Sequence, residues 1–128
     1  MMNTKLLMSA SAIVMALIGI SLTFLPDEIS VYLNVEATGW LPLILQLLGA
    51  LYFAFAMLNW MAKGNLIGGI YSRPVAVANF AHFFIGGLAL LKAAVAGPGL
   101  VSVWVAGIVY AAFALLYGIV LFRHPLKS

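Results

Sequence analysis

The chain has 128 residues, 66% of them hydrophobic and 7% charged, with six basic residues against three acidic ones and a formal net charge of +3. At a mean hydropathy of +1.18 it lacks the polar surface that a soluble domain of this size needs. Cysteine is absent, which excludes disulfides, thiolate metal sites and thiol redox chemistry. The scattered basic residues form no run that would hold nucleic acid.

Four apolar runs occupy most of the chain: Leu6–Leu25, Trp40–Met61, Val75–Val95 and Leu100–Phe122. A bilayer core about 30 Å thick needs about 20 helical residues to cross it, so each run predicts one transmembrane helix. The expected fold is all-α: a membrane-embedded antiparallel four-helix bundle forming a single domain over residues 1–128. Lys5 ahead of the first run resembles the start of a signal peptide. The apolar part continues to Leu25 with no small-x-small cleavage pattern, and a retained anchor is expected.

The first connection opens with Pro26, Asp27 and Glu28, residues suited to the first turn of a short helix. Ile29, Tyr32 and Leu33 would then share one face, as in a helix near 27–34 lying in the headgroup region. Trp40 falls at belt depth as the second span begins. The second connection, residues 63–74, carries three glycines around an apolar middle and ends in Pro74. It predicts a loop folded back on the helix ends, with Pro74 opening the third span. It has neither the Lys-Ser/Thr ending nor the preceding strand of a phosphate loop. Gly97-Pro98-Gly99 predicts a tight turn between the last two spans.

Basic residues favour one side. With the N-terminus inside, the cytoplasmic segments hold Lys5, Lys63, Arg73, Arg123 and Lys127, and the outer segments hold Asp27, Glu28 and Glu36. The positive-inside rule then places both termini in the cytoplasm. Lys92 is the exception near the outer side, where its stem can snorkel to the surface.

Each span carries small or polar residues at spacings of three and four, which keeps them on one helical face. The stripes are Ser9, Ala12, Ala16, Gly19 and Thr23; Gly49, Tyr52, Ala56 and Asn59; Asn79, His82, Gly86, Leu90 and Ala93; and Gly107, Tyr110, Ala114 and Tyr117. Helices in lipid associate through close packing and interhelical hydrogen bonds, so the stripes are expected to face one another. The remaining Leu, Ile, Val, Phe and Met are expected to face lipid. Asn59, Asn79, His82 and Tyr117 fall within about 10 Å of the cytoplasmic ends, and Tyr52 and Tyr110 near the midplane.

These six residues form the candidate ligand-binding cluster. His82 is its centre, because an ionisable residue inside a span is a functional candidate. The competing reading is structural: a His bonded to Asn79, Asn59 or Tyr117 would join helices. His82 and His124 are the only histidines, and no carboxylate lies in a span. No metal site, cofactor or acid–base catalytic set is therefore expected, and His124 beside Arg123 reads as a solvated anchor.

Phe24-Leu25-Pro26-Asp27-Glu28 leaves the first span, Leu47-Leu48-Gly49-Ala50 centres the second, and Asn79-Phe80-Ala81-His82-Phe83 lies early in the third. On these segments and its layout the chain resembles the DoxX-like group of small four-span bacterial inner-membrane proteins. The resemblance implies a four-helix bundle in a bacterial inner membrane and transfers no active site. The function expected first is non-enzymatic: packing within the bilayer as an accessory subunit, a homo-oligomer or part of a larger membrane complex. A binder or carrier of a small lipophilic molecule is the alternative, and a small membrane enzyme using His82 and a tyrosine comes third.

Overall fold

A computed structural model describes residues 3–36, 38–97 and 101–123. Among them are five helices in chain order: α1 (Thr4–Phe24), α2 (Pro26–Tyr32), α3 (Leu41–Ala62), α4 (Arg73–Ala96) and α5 (Val101–Phe122). All but α2 are long and apolar enough to cross a membrane. The protein is all-α and, by these four helices, a multi-pass integral membrane protein. The chain divides into two compact units, one on Lys5–Gly64 and the other on Asn65–Ser128 together with Met1–Thr4. They are described in turn.

In the first unit α1 and α3 form an antiparallel hairpin. A Cβ on Gly19 would lie 2.8 Å from the Phe53 nitrogen and 2.9 Å from the Gly49 oxygen; one on Gly49 would lie 2.8 Å from the Gly19 oxygen. The two glycines let the backbones touch, which is how small residues bring helices together where apolarity alone gives no drive. Thr23 belongs to the same crossing: its hydroxyl donates to the Gly19 oxygen at 2.8 Å and would lie 2.6 Å from a Cβ on Gly49. On α3, Gly49, Ala56 and Asn59 are buried and Tyr52 is half-buried, as the spacing predicts. On α1 the buried centre is Met8, Ser11, Ala12, Met15 and Gly19. The expected stripe is therefore displaced by about one residue, leaving Ser9 and Ala16 half-buried. The physical reason is that Ser11 accepts a hydrogen bond from Asn59 (3.2 Å), while the flexible methionines fill the space beside it.

The short helix α2 forms where Pro26 sets its first turn, with Asp27 and Glu28 at its positive end. Asn34, at φ 60°, ends it in the left-handed region that Asn tolerates, and the Val35 N–H returns to the Ser30 oxygen at 2.9 Å. Ser30 is buried, whereas Tyr32 and Leu33 are exposed and Ile29 is half-buried. An apolar exposed face on a seven-residue helix suits a position in the headgroup region.

In the second unit α4 and α5 form another antiparallel hairpin. Pro74 lies in the first turn of α4, after Ser72 turns the chain at φ 50°. The connection before it folds back as expected. Ile67 is buried, Gly68 pairs with Tyr71, and the Gly69 N–H donates to the Val120 oxygen in the last turn of α5 at 3.3 Å. On α5 all four stripe residues, Gly107, Tyr110, Ala114 and Tyr117, are buried. On α4 the buried centre is Ala76, Asn79, Phe83, Gly87 and Ala94; His82, Gly86 and Leu90 are half-buried and Ala93 is exposed. The displacement follows Phe83, which is wholly buried among aromatic rings. Burying a large ring outweighs burying a stripe of small residues. The assignment of every Phe and Met to lipid fails for the same reason at Phe83, Met8 and Met15. Leu51, Ile85 and Leu115 are exposed, as their faces predict. Pro98, Gly99 and His124, to which a turn and an anchor are assigned above, lie outside the described residues.

Candidate functional site

Two features of the second unit stand out. The first is a polar pair inside an apolar hairpin. Gly86 has no Cβ, and one placed there would lie 2.8 Å from the Tyr110 ring. The ring lies across α4 at that gap, and its hydroxyl shares a 2.9 Å hydrogen bond with Nε2 of His82, about one turn earlier. Phe83 packs against both, with ring centroids 5.0 Å from His82 and 4.9 Å from Tyr110. Tyr117 stacks on Phe83, 5.8 Å away with its ring nearly parallel, and Phe113 closes the cluster at 4.8 Å.

His82 thus bonds with Tyr110, a partner outside the three expected for it. Because α4 begins at Arg73 rather than Val75, His82 is about 14 Å along the helix at 1.5 Å per residue. Its hydrogen bond with Tyr110 spares two polar groups in apolar helices the cost of facing hydrocarbon unpaired.

The other candidates divide between the units. Asn79 is buried and its amide donates to the Val75 oxygen on its own helix at 2.9 Å. Asn59 belongs to the first unit, where its amide nitrogen donates to Ser11 and lies 3.8 Å from the Met15 sulfur. Tyr52 is on the half-buried side of α3 in that unit. His82, Tyr110 and Tyr117 are therefore brought together through Phe83, while Asn59 has its own local partner. Among the described residues no group of three His, Cys, Asp or Glu gathers to hold a metal.

The second feature is a groove of about 600 Å³ running along α4 and α5. Its walls are Phe80, Phe84, Leu88, Leu115 and Phe122, and its floor includes Phe83, Gly87, Ala111, Ala114 and Gly118. The floor is low because Gly118 makes room for the Phe80 ring, 3.1 Å from where a Cβ would be, and Gly87 lies close to the Tyr110 and Ala111 backbone. Phe80 stacks on Phe84 at 5.4 Å and meets Phe122 edge-on at 6.4 Å, which holds one wall upright. The volume lies in the range of small-molecule sites, and the lining is apolar except for Arg123 at one end.

None of the groove residues is among the six candidates. A signal for them is present in the sequence: Phe80, Phe83 and Phe84 at helical spacing on α4, and Ala111, Ala114 and Gly118 at spacings of three and four on α5. Polar residues alone do not find a site built from rings and gaps.

Compared with known proteins, the chain matches no family model, no curated protein and no solved structure.

Proposed function

We propose that this is a non-enzymatic multi-pass protein of a bacterial inner membrane that holds a lipophilic molecule in the groove along α4 and α5. The observation that carries this reading is the groove: about 600 Å³, lined by rings and small residues of one hairpin, and open at a surface that a bilayer-spanning helix pair presents to its surroundings. The His82–Tyr110 pair lies behind it, against Phe83, and acts as the polar link that fixes the aromatic floor. Both termini are cytoplasmic on this reading, supported by Lys5, Lys63, Arg73 and Arg123 on one side and Asp27, Glu28 and Glu36 on the other. The DoxX-like layout supports the same membrane.

A second reading uses the same floor. Ala114 and Gly118 are spaced as small residues are where helices dock closely, which favours self-association or a place in a larger membrane complex.

Purification in mild detergent followed by mass spectrometry of the extracted lipids tests the first reading. A bound lipophilic molecule should be retained by the wild type and lost from Ala111→Trp, whose side chain starts from an exposed floor position and fills the groove. Retention by both would sink it. Orientation is tested separately by Cys placed at Thr38 or Ser128 of this cysteine-free chain. Outside labelling of Ser128→Cys in intact cells would reverse the topology.

A further inference from the structure

We infer that the occupant of the groove is an anionic phospholipid, with one acyl chain along α4 and α5 and its phosphate at Arg123 and Arg73. The inference rests on the groove reading above and adds the chemical class of the ligand. Three observations carry it.

The first is length. The groove runs along α5 from Ala111 to Arg123, about 18 Å at 1.5 Å per residue. A hydrocarbon core of about 30 Å gives each leaflet about half that depth. The groove therefore matches one acyl chain of one leaflet, entering from the end where α5 finishes.

The second is charge at that end. Arg123 lines the groove mouth, one residue beyond α5. Arg73 is fixed at the same end of the hairpin by a short relay. Its Nη1 donates to the Gly69 oxygen at 3.1 Å, and the Gly69 N–H donates to the Val120 oxygen three residues before Arg123. One residue, Gly69, thus ties the guanidinium at the start of α4 to the last turn of α5.

The third is the want of a counter-charge. The segment from Asn65 to Ser128 contains no Asp or Glu. Asp27, Glu28 and Glu36 follow the first span, so four alternating crossings put them on the opposite side of the bilayer from Arg73 and Arg123. One guanidinium lining the mouth of an apolar channel, Arg123, with a second, Arg73, at the same end of the hairpin, suits a phosphodiester, whose oxygens accept several N–H donors while its chain enters the channel. A zwitterionic headgroup brings a cation of its own to the same place. A second copy of this chain would bring further basic residues to that end.

The test is native mass spectrometry of the full chain in detergent. Phosphatidylglycerol and phosphatidylcholine of identical acyl chains are added in competition. The wild type should retain one phosphatidylglycerol with about thirtyfold preference, the order expected for two basic residues at about 1 kcal/mol each. Arg73→Gln with Arg123→Gln should reduce the preference to about onefold to twofold while phosphatidylcholine still binds. Lys92→Gln, which removes one positive charge near the other end of α4, should leave it unchanged. Ala111→Trp should abolish both adducts. Equal binding of the two lipids by the wild type overturns the headgroup assignment while leaving the groove reading in place. So does an equal loss of preference in Lys92→Gln, which would make the effect one of net charge. No adduct of either lipid, or a dimer in place of adducts, overturns the groove reading and this inference together.

Discussion

In the α1–α3 hairpin the closest approach is backbone on backbone, at Gly19 and Gly49, with the Thr23 hydroxyl folded onto the Gly19 carbonyl. In the α4–α5 hairpin the corresponding space is filled by rings: Phe83 among Tyr110, Phe113 and Tyr117. Gly86 faces the Tyr110 ring and Gly107 the Leu91 side chain, while a Cβ on Gly87 would meet the Tyr110 and Ala111 backbone at the looser 3.6–3.7 Å. The difference has a consequence for what each hairpin can hold. Helices in backbone contact leave a shallow dent, about 220 Å³ beside Ala16 and Trp60. Helices separated by rings leave a groove nearly three times as large between ring walls and small-residue floors. The same bilayer constraint, that helices gain little from apolarity alone, is thus met once by close approach and once by interlocking aromatics.

The largest expected effect is at the centre of the ring cluster. Phe83→Ala removes a wholly buried ring and should destabilise by about 3–5 kcal/mol, read as a fall in thermal stability in detergent. A small effect would mean that the cluster does not hold the α4–α5 hairpin.

Next is Gly49→Leu, expected at about 3 kcal/mol because the added carbons meet main-chain atoms that cannot swing aside. Gly107→Leu should cost less, about 1–2 kcal/mol, since the Leu91 side chain can change rotamer. Equal melting shifts for the pair would erase the distinction between the hairpins.

The polar link is expected to contribute less. His82→Gln keeps a group able to bond with Tyr110 and should cost about 1 kcal/mol or less. His82→Leu leaves the Tyr110 hydroxyl without this partner and should cost about 1–2 kcal/mol. A stable His82→Gln variant that has lost its bound lipid would show that the pair does more than join helices. Smallest of all, Leu51→Ile on the exposed face of α3 should stay within about 0.5 kcal/mol.

The sequence by itself determined the class of the protein. Four runs of bilayer length with so few charges admit little besides membrane-spanning helices, because an unsatisfied backbone is prohibitive in hydrocarbon. Punctuation was legible for a local reason: Pro26 and Pro74 restrict their own φ and lack an N–H that the first helical turn leaves unused. The stripes on α3 and α5 were legible too, since their small and polar residues are buried, with Tyr52 alone half-buried. On α1 and α4 tertiary structure decided. Which of two adjacent faces turns inward depended on Ser11 meeting Asn59 and on Phe83 finding three rings, and both are contacts between helices distant in sequence. The groove shows the same limit most clearly. A polar residue declares itself because burying it unpaired is expensive. A groove between Phe84 and Leu115 comes into being only when two helices are packed side by side.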